Sequence, residues 1–286
     1  MEQNLTHIIS VQELTVLKQT IPIVLIDASA GADSKEKYNQ QHLKDALYVD
    51  LNKDLADIKD DASLGGRHPL PSTTEFAKTL TKLGISPDSH VIIYDDKNSS
   101  NAAARFWWML TSIGHQKVQV LNGGYQAALK AGFEMSSTTE IPLLSDAYPI
   151  TNWKLPMADM NEVDKVRLNK DYLIIDVRDK IRYDGIKEPI DLIAGHIPGA
   201  INIPFSTNLD ADGFYLTSNV LKEKYQKALE NKNREHVIVH CGSGVTACHT
   251  LLAMAYAGLE IPKLYVGSWS EWSRNEKPIS KNLIRE

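Results

Sequence analysis

The chain has 286 residues, 43% of them hydrophobic and 23% charged, a globular balance with room for two domains of ordinary size. A net charge of −5 argues against a nucleic-acid partner, and no apolar run is long enough to span a membrane. Only two cysteines, Cys241 and Cys248, argue against a disulfide framework, while residues 1–6 lack the basic and apolar regions of a secretion signal. The expectation is a cytoplasmic enzyme without a metal site, since no histidine or cysteine spacing suggests one.

An apolar run at 23–28, closed by Asp27, predicts a buried strand. Segment 42–49 follows, then a second buried strand at 91–96, a helix at 102–113 stopped by Gly114, and a strand into 120–125. The connector at 133–160 is rich in Ser, Thr and Pro. The same series then returns: 173–178 closed by Asp176, 196–203, 237–242, a helix at 246–257 stopped by Gly258, and 265–269. Matched elements keep their order at a spacing of about 145–155 residues, which identifies a domain duplication. Continuous apolar strands alternating with amphipathic helices predict an α/β fold, each copy a mainly parallel sheet with helices on both faces. The expected division is a domain at 1–140, a linker at 141–160 and a second domain at 161–286. Residues beyond Trp272 read as a polar surface tail.

Chemistry concentrates after the 237–240 strand. That strand delivers Cys241 into a loop punctuated by Gly242 and Gly244, and the loop opens at once into a helix. Loop N–H groups and the helix N-terminus both favour an anion there, so Cys241 reads as a nucleophilic thiolate. Aligning the copies puts Asp95 where Cys241 stands, and the stretch 96–100 has no glycine. The first copy therefore lacks the nucleophile and reads as a structural partner that walls a site in the second half, facing the domain cleft.

These motifs, with 195–200 (Gly-His-Ile-Pro-Gly-Ala) and 267–272 (Gly-Ser-Trp-Ser-Glu-Trp), resemble the rhodanese (sulfurtransferase) family in its tandem-domain form. The loop from Cys241 to Ala247 is similar to that of 3-mercaptopyruvate sulfurtransferases. The resemblance implies two rhodanese-like domains and a ping-pong transfer of sulfane sulfur through a Cys241 persulfide, with no cofactor. The donor would be a small anion, 3-mercaptopyruvate or alternatively thiosulfate; the acceptor a small thiol, cyanide or a dithiol protein. Arg182 matches a substrate-binding arginine, and Gly242, Gly244, Val245 and Thr246 would line the donor. Ser243 and His68 match a catalytic serine–histidine pair whose acid partner falls on Asn52, with Asp50 nearby; Ser243 could instead cap the helix.

The chain departs from the family at Lys44-Asp45, where Pro-Gly is usual, and at Ile190, where a second arginine is expected after Glu188-Pro189. Arg67 is the candidate to compensate. Asp176, Arg178 and His196 read as structural, Cys248 as core, and Trp269 and Trp272 as packing the domain edge. A cysteine phosphatase would need an arginine six places after Cys241, and Ala247 stands there. A sulfur-carrier module on the same fold is the other alternative. The uncharged loop favours mercaptopyruvate over the thiosulfate dianion.

Overall fold

The computed structural model describes residues 5–150 and 152–282; most of the opening stretch 1–6 lies outside them. Two compact units are present, and they trade short segments of chain. One comprises Met1–Ala56, Pro71–Lys154 and Ala211–Tyr215; the other comprises Asp57–Leu70, Leu155–Asp210 and Leu216–Glu286.

The first unit holds a five-stranded sheet in the order Ile8–Ile9, Val118–Leu121, Val91–Tyr94, Val24–Asp27, Ala46–Tyr48. The second repeats it in the order Met157–Ala158, Lys263–Tyr265, Val237–His240, Leu173–Asp176, Ile201–Asn202. Every pairing within both sheets is parallel. The central strands are buried along their length, which is why they read as unbroken apolar runs. The expected α/β architecture, in two copies, is the one observed.

Duplication extends to side chains. In the first unit His42 stacks on Tyr38 at 3.9 Å and bonds the Tyr38 carbonyl at 2.6 Å. His196 in the second stacks on Tyr183 at 3.8 Å and bonds its carbonyl at 2.7 Å. Each tyrosine in turn donates to an alanine carbonyl, Ala46 or Ala200. The same ring stack, tied in each copy to the same backbone carbonyl, makes both histidines structural.

The helices after the central strands are apolar nearly all round. Ala102–Ile113 is closed by Gly114 at φ 91°, and Thr246–Tyr256 is followed by Gly258 at φ 73°. Among the described residues no helix is long and apolar enough to cross a membrane.

One expectation is corrected and one is sharpened. Trp269 and Trp272 do not pack an edge: both are fully buried in a cluster with Ile174, Ile238 and Tyr265. Residues 273–282 lie largely at the surface, as expected, and are fastened there. Ser280 exchanges two backbone hydrogen bonds with His196, and the Trp272 indole donates to the Pro278 carbonyl. Polar composition hid this because the fastening uses backbone groups, which any sequence supplies.

Candidate active site

Register fixes where Cys241 stands. His240 pairs with Asp176, and Val177 N–H donates to the His240 carbonyl, so Cys241 is the first residue past the sheet. It is 1% exposed. Its backbone is clamped from the Ser268–Trp272 helix: Trp269 N–H donates to the Cys241 carbonyl at 3.0 Å and Ser270 N–H to Gly242 at 2.8 Å. Ser268, at φ 54°, places its hydroxyl to accept from Cys241 N–H at 3.2 Å and donate to the Tyr265 carbonyl at 2.8 Å. The strained backbone at Ser268 thus holds the cysteine at a fixed height.

The loop beyond needs its glycines. Gly244 lies at φ +72°, and a Cβ there would stand 2.6 Å from the Val266 carbonyl oxygen. Val245 precedes the helix with no side-chain cap, and Thr246 is the first helical residue. Ser243 is therefore not a helix cap. Its hydroxyl shares a 2.7 Å hydrogen bond with His68 Nδ1. Cys248, fully buried, donates its thiol to the Gly244 carbonyl and braces the loop from behind.

His68 arrives on the Asp57–Leu70 strap, which belongs to the compact unit of Cys241 although it comes from the first half of the sequence. The strap is fastened residue by residue. The Asn275 amide donates to the Ser63 carbonyl, Gly65 N–H to Glu271 and Arg67 N–H to the Ser270 hydroxyl, at 2.9, 2.9 and 3.0 Å. Glu271 is itself held by the Tyr265 hydroxyl at 2.7 Å. Burial, then the neighbouring Glu271 carboxylate, push the Tyr265 phenol far up, so it stays a donor.

Two guanidinium groups stand over Gly242. A Cβ there would meet Arg67 Nη2 at 3.0 Å, Asp191 Oδ2 at 3.2 Å and Arg182 Nη2 at 3.3 Å. Arg182 grips Glu188 through Nε at 2.9 Å and Asp191 through Nη2 at 2.9 Å. Burial pushes the Glu188 carboxyl up, but Arg182 and the N–H groups of Asp191 and Ile190 bring it below its ordinary range. Arg178 differs: Nε, Nη1 and Nη2 are all engaged by Asp176, Glu188 and the Gly195 carbonyl, and it lies 4.5 Å over the Trp269 ring. That saturation makes it structural. The Ile190 side chain is exposed and supplies no charge.

Sequence reasoning thus pointed at Cys241, Ser243, His68 and Arg182, and the structure gathers them in one unit. It missed Asp191, Ser268, Ser270 and Glu271. Three of these lie in the 267–272 motif, which carried the resemblance but gave no role to each residue. Asp191 had no signal, because a buried carboxylate between guanidinium groups looks like any loop acid in sequence. Among the described residues no cluster of three or more His, Cys, Asp or Glu is arranged to hold a metal.

A duplicated parallel α/β unit with a cysteine at one of two equivalent strand ends defines the class. The Rhodanese-like domain family matches residues 10–131 and again 159–275. Over 253 residues the chain is 37% identical to the Pseudomonas aeruginosa protein named "Probable 3-mercaptopyruvate sulfurtransferase", covering 87% of this chain and 86% of that one. It is 34% identical over 252 residues to thiosulfate sulfurtransferase of Rattus norvegicus, covering 87% and 82% of the two chains. The solved structure of 3-mercaptopyruvate sulfurtransferase from Leishmania major superposes with a TM-score of 0.81 at 27% identity, covering 94% of this chain and 74% of that one. The chain belongs to the rhodanese family and is a sulfurtransferase.

Proposed function

We propose that the enzyme moves a sulfane sulfur from 3-mercaptopyruvate to a thiol or cyanide through a persulfide on Cys241. The Cys241 thiolate attacks the donor sulfur. The new S–S bond forms as the donor C–S bond breaks, and the electron pair leaves on carbon as pyruvate enolate. That enolate must take one proton to become pyruvate. In the second step the acceptor takes the outer sulfur and Cys241 returns to thiolate.

The observation that carries this reading is the 2.7 Å Ser243–His68 hydrogen bond, two residues along the loop from the cysteine. A carbon leaving group needs a proton, and a hydroxyl backed by an imidazole can deliver it. Thiosulfate does not: sulfite leaves as a stable anion, so such a pair would be idle. Arg182 would grip the donor carboxylate, with Gly242, Gly244, Val245 and Thr246 presenting backbone to it.

Thiosulfate as donor is the second reading, favoured by a specific observation. The loop itself is uncharged, but Arg67 and Arg182 both reach Gly242, so positive charge stands there after all. Side-by-side turnover of the two donors decides. Ser243→Ala is expected to lower kcat for 3-mercaptopyruvate about 100-fold and to leave thiosulfate nearly unaffected. Equal effects on both donors would overturn the relay. Absence of an added sulfur on Cys241 after donor treatment, read by mass spectrometry, would overturn the persulfide route.

A further inference from the structure

We propose that Arg67 is a donor-binding residue, forming with Arg182 a paired guanidinium grip for the anionic end of the sulfur donor, both forks aimed by Asp191. The assignment rests on the reading of an anionic donor given above.

Three observations carry it. The first is position. The Arg67 and Arg182 Nη2 atoms lie 3.0 and 3.3 Å from the place a Gly242 side chain would occupy, beside Cys241. Glycine there lets both guanidinium groups close down on the backbone beside Cys241, where a Cβ would crowd them.

The second is the state of the donors. Arg67 is held through Nε to Asp191 Oδ1 at 2.8 Å, with Nη2 3.5 Å from Oδ2. Arg182 is held through Nε and Nη2 alone. In both, Nη1 has no protein partner among the described residues. A planar guanidinium pinned along one edge presents the other to a carboxylate or sulfonate oxygen. Arg178, saturated on all three nitrogens, shows what a purely structural arginine looks like nearby.

The third is charge. Asp191, its side chain fully buried, already has Arg182 at 2.9 Å and Arg274 at 3.6 Å. It does not need Arg67 for neutralisation. Arg67, Arg178, Arg182 and Arg274 make four positive charges in this network, against three negative charges on Asp176, Glu188 and Asp191. His240 adds no charge, because burial pushes its imidazole down despite Asp176 nearby. Within these ion pairs one positive charge is left over, which the Cys241 thiolate and an incoming anion would share.

Gly66 makes the placement possible: at φ +81°, a Cβ would fall 2.3 Å from the Gly267 carbonyl oxygen. The strap therefore lies flush on the 267–272 segment. Arg67 then serves the anion and His68 the proton, from adjacent positions.

Ping-pong kinetics separate the two half-reactions and test the assignment in the full-length enzyme. Arg67→Ala is expected to lower kcat/KM for 3-mercaptopyruvate or thiosulfate about 10- to 100-fold. Its kcat/KM for a neutral acceptor, 2-mercaptoethanol, should stay within about twofold of wild type, and Arg67→Lys should recover part of the donor loss. Equal losses in both half-reactions would mean that Arg67 only shapes the loop, overturning the proposal. An unchanged donor kcat/KM would overturn it too, with the functional reading intact. A wild-type enzyme that turns over neither anion would instead overturn the reading on which the assignment rests.

Discussion

Asp95 and Cys241 occupy the same place in two copies of one frame, and the difference between them separates what the frame needs from what the chemistry needs. Asp27 pairs with Tyr94 as Asp176 pairs with His240, so each residue is the first past its central strand. The Asp95 carboxylate accepts from the N–H groups of Lys97, Asn101 and Ala103 at 2.8, 2.9 and 3.1 Å. The first copy thus fills its own anion cradle with a side chain. Val245 offers no side-chain cap to the helix after Cys241, and a cysteine stands there in place of the carboxylate. The backbones differ as well. Asn98 and Ser99 adopt φ 56° and 57° without being glycine, where the active loop uses Gly244. Each copy carries non-glycine strain, at Asn98 and Ser99 in the first and at Ser268 in the second, but only the first carries it in the loop after its central strand.

The largest test of this contrast is to make the copies alike. Cys241→Asp should fold, since Asp95 shows that the frame accepts a carboxylate, and should lose sulfur transfer by at least about 1000-fold. Retained turnover would place the nucleophile elsewhere. Next, Gly244→Ala adds a Cβ at positive φ against a backbone oxygen and should cost about 2–3 kcal/mol, read by denaturant unfolding; a neutral change would mean the loop is more pliant than its geometry implies.

A smaller effect follows pH. Burial pushes the Asp95 carboxyl up to about 6, its three backbone donors pulling the other way and Asp96 adding to the rise. The folded chain therefore holds this proton more tightly than the unfolded chain. Its stabilising effect is complete below the ordinary carboxylate range and is lost as pH rises through about 6. Relative to Asp95→Asn, the wild type should lose about 2–3 kcal/mol between pH 4 and 7. A pH-independent difference between the two proteins would refute the raised carboxyl. Smallest of all, Ser99→Gly should stabilise by about 1 kcal/mol by relieving the left-handed backbone. No gain in thermal midpoint would show that the neighbouring contacts, not the backbone, set the energy there.

Much of this was legible in the sequence. The strands at 91–94 and 237–240 and the helix Ala102–Ile113 stand out because burial on both faces leaves an unmistakable apolar pattern. Cys241 was visible because a buried strand that delivers a thiol into a glycine loop, just ahead of a helix, sets it among backbone N–H donors. Arg67 was only a candidate by proximity of motif, since nothing local says that residue 67 packs on residues 267–271. Asp191 and Ser268 were invisible for a related reason. Their work is done by contacts far along the chain, such as Arg67 with Asp191 and Ser268 with Cys241.

The strap has a consequence for how this protein can be divided. A fragment beginning at Leu155 would carry Cys241, its loop and its helix, yet would come without His68 and Arg67. With the proposed roles of His68 and Arg67, that fragment is expected to transfer sulfur far more slowly than the whole chain. Fourteen residues from the first half of the sequence, Asp57–Leu70, fold as part of the unit that carries Cys241.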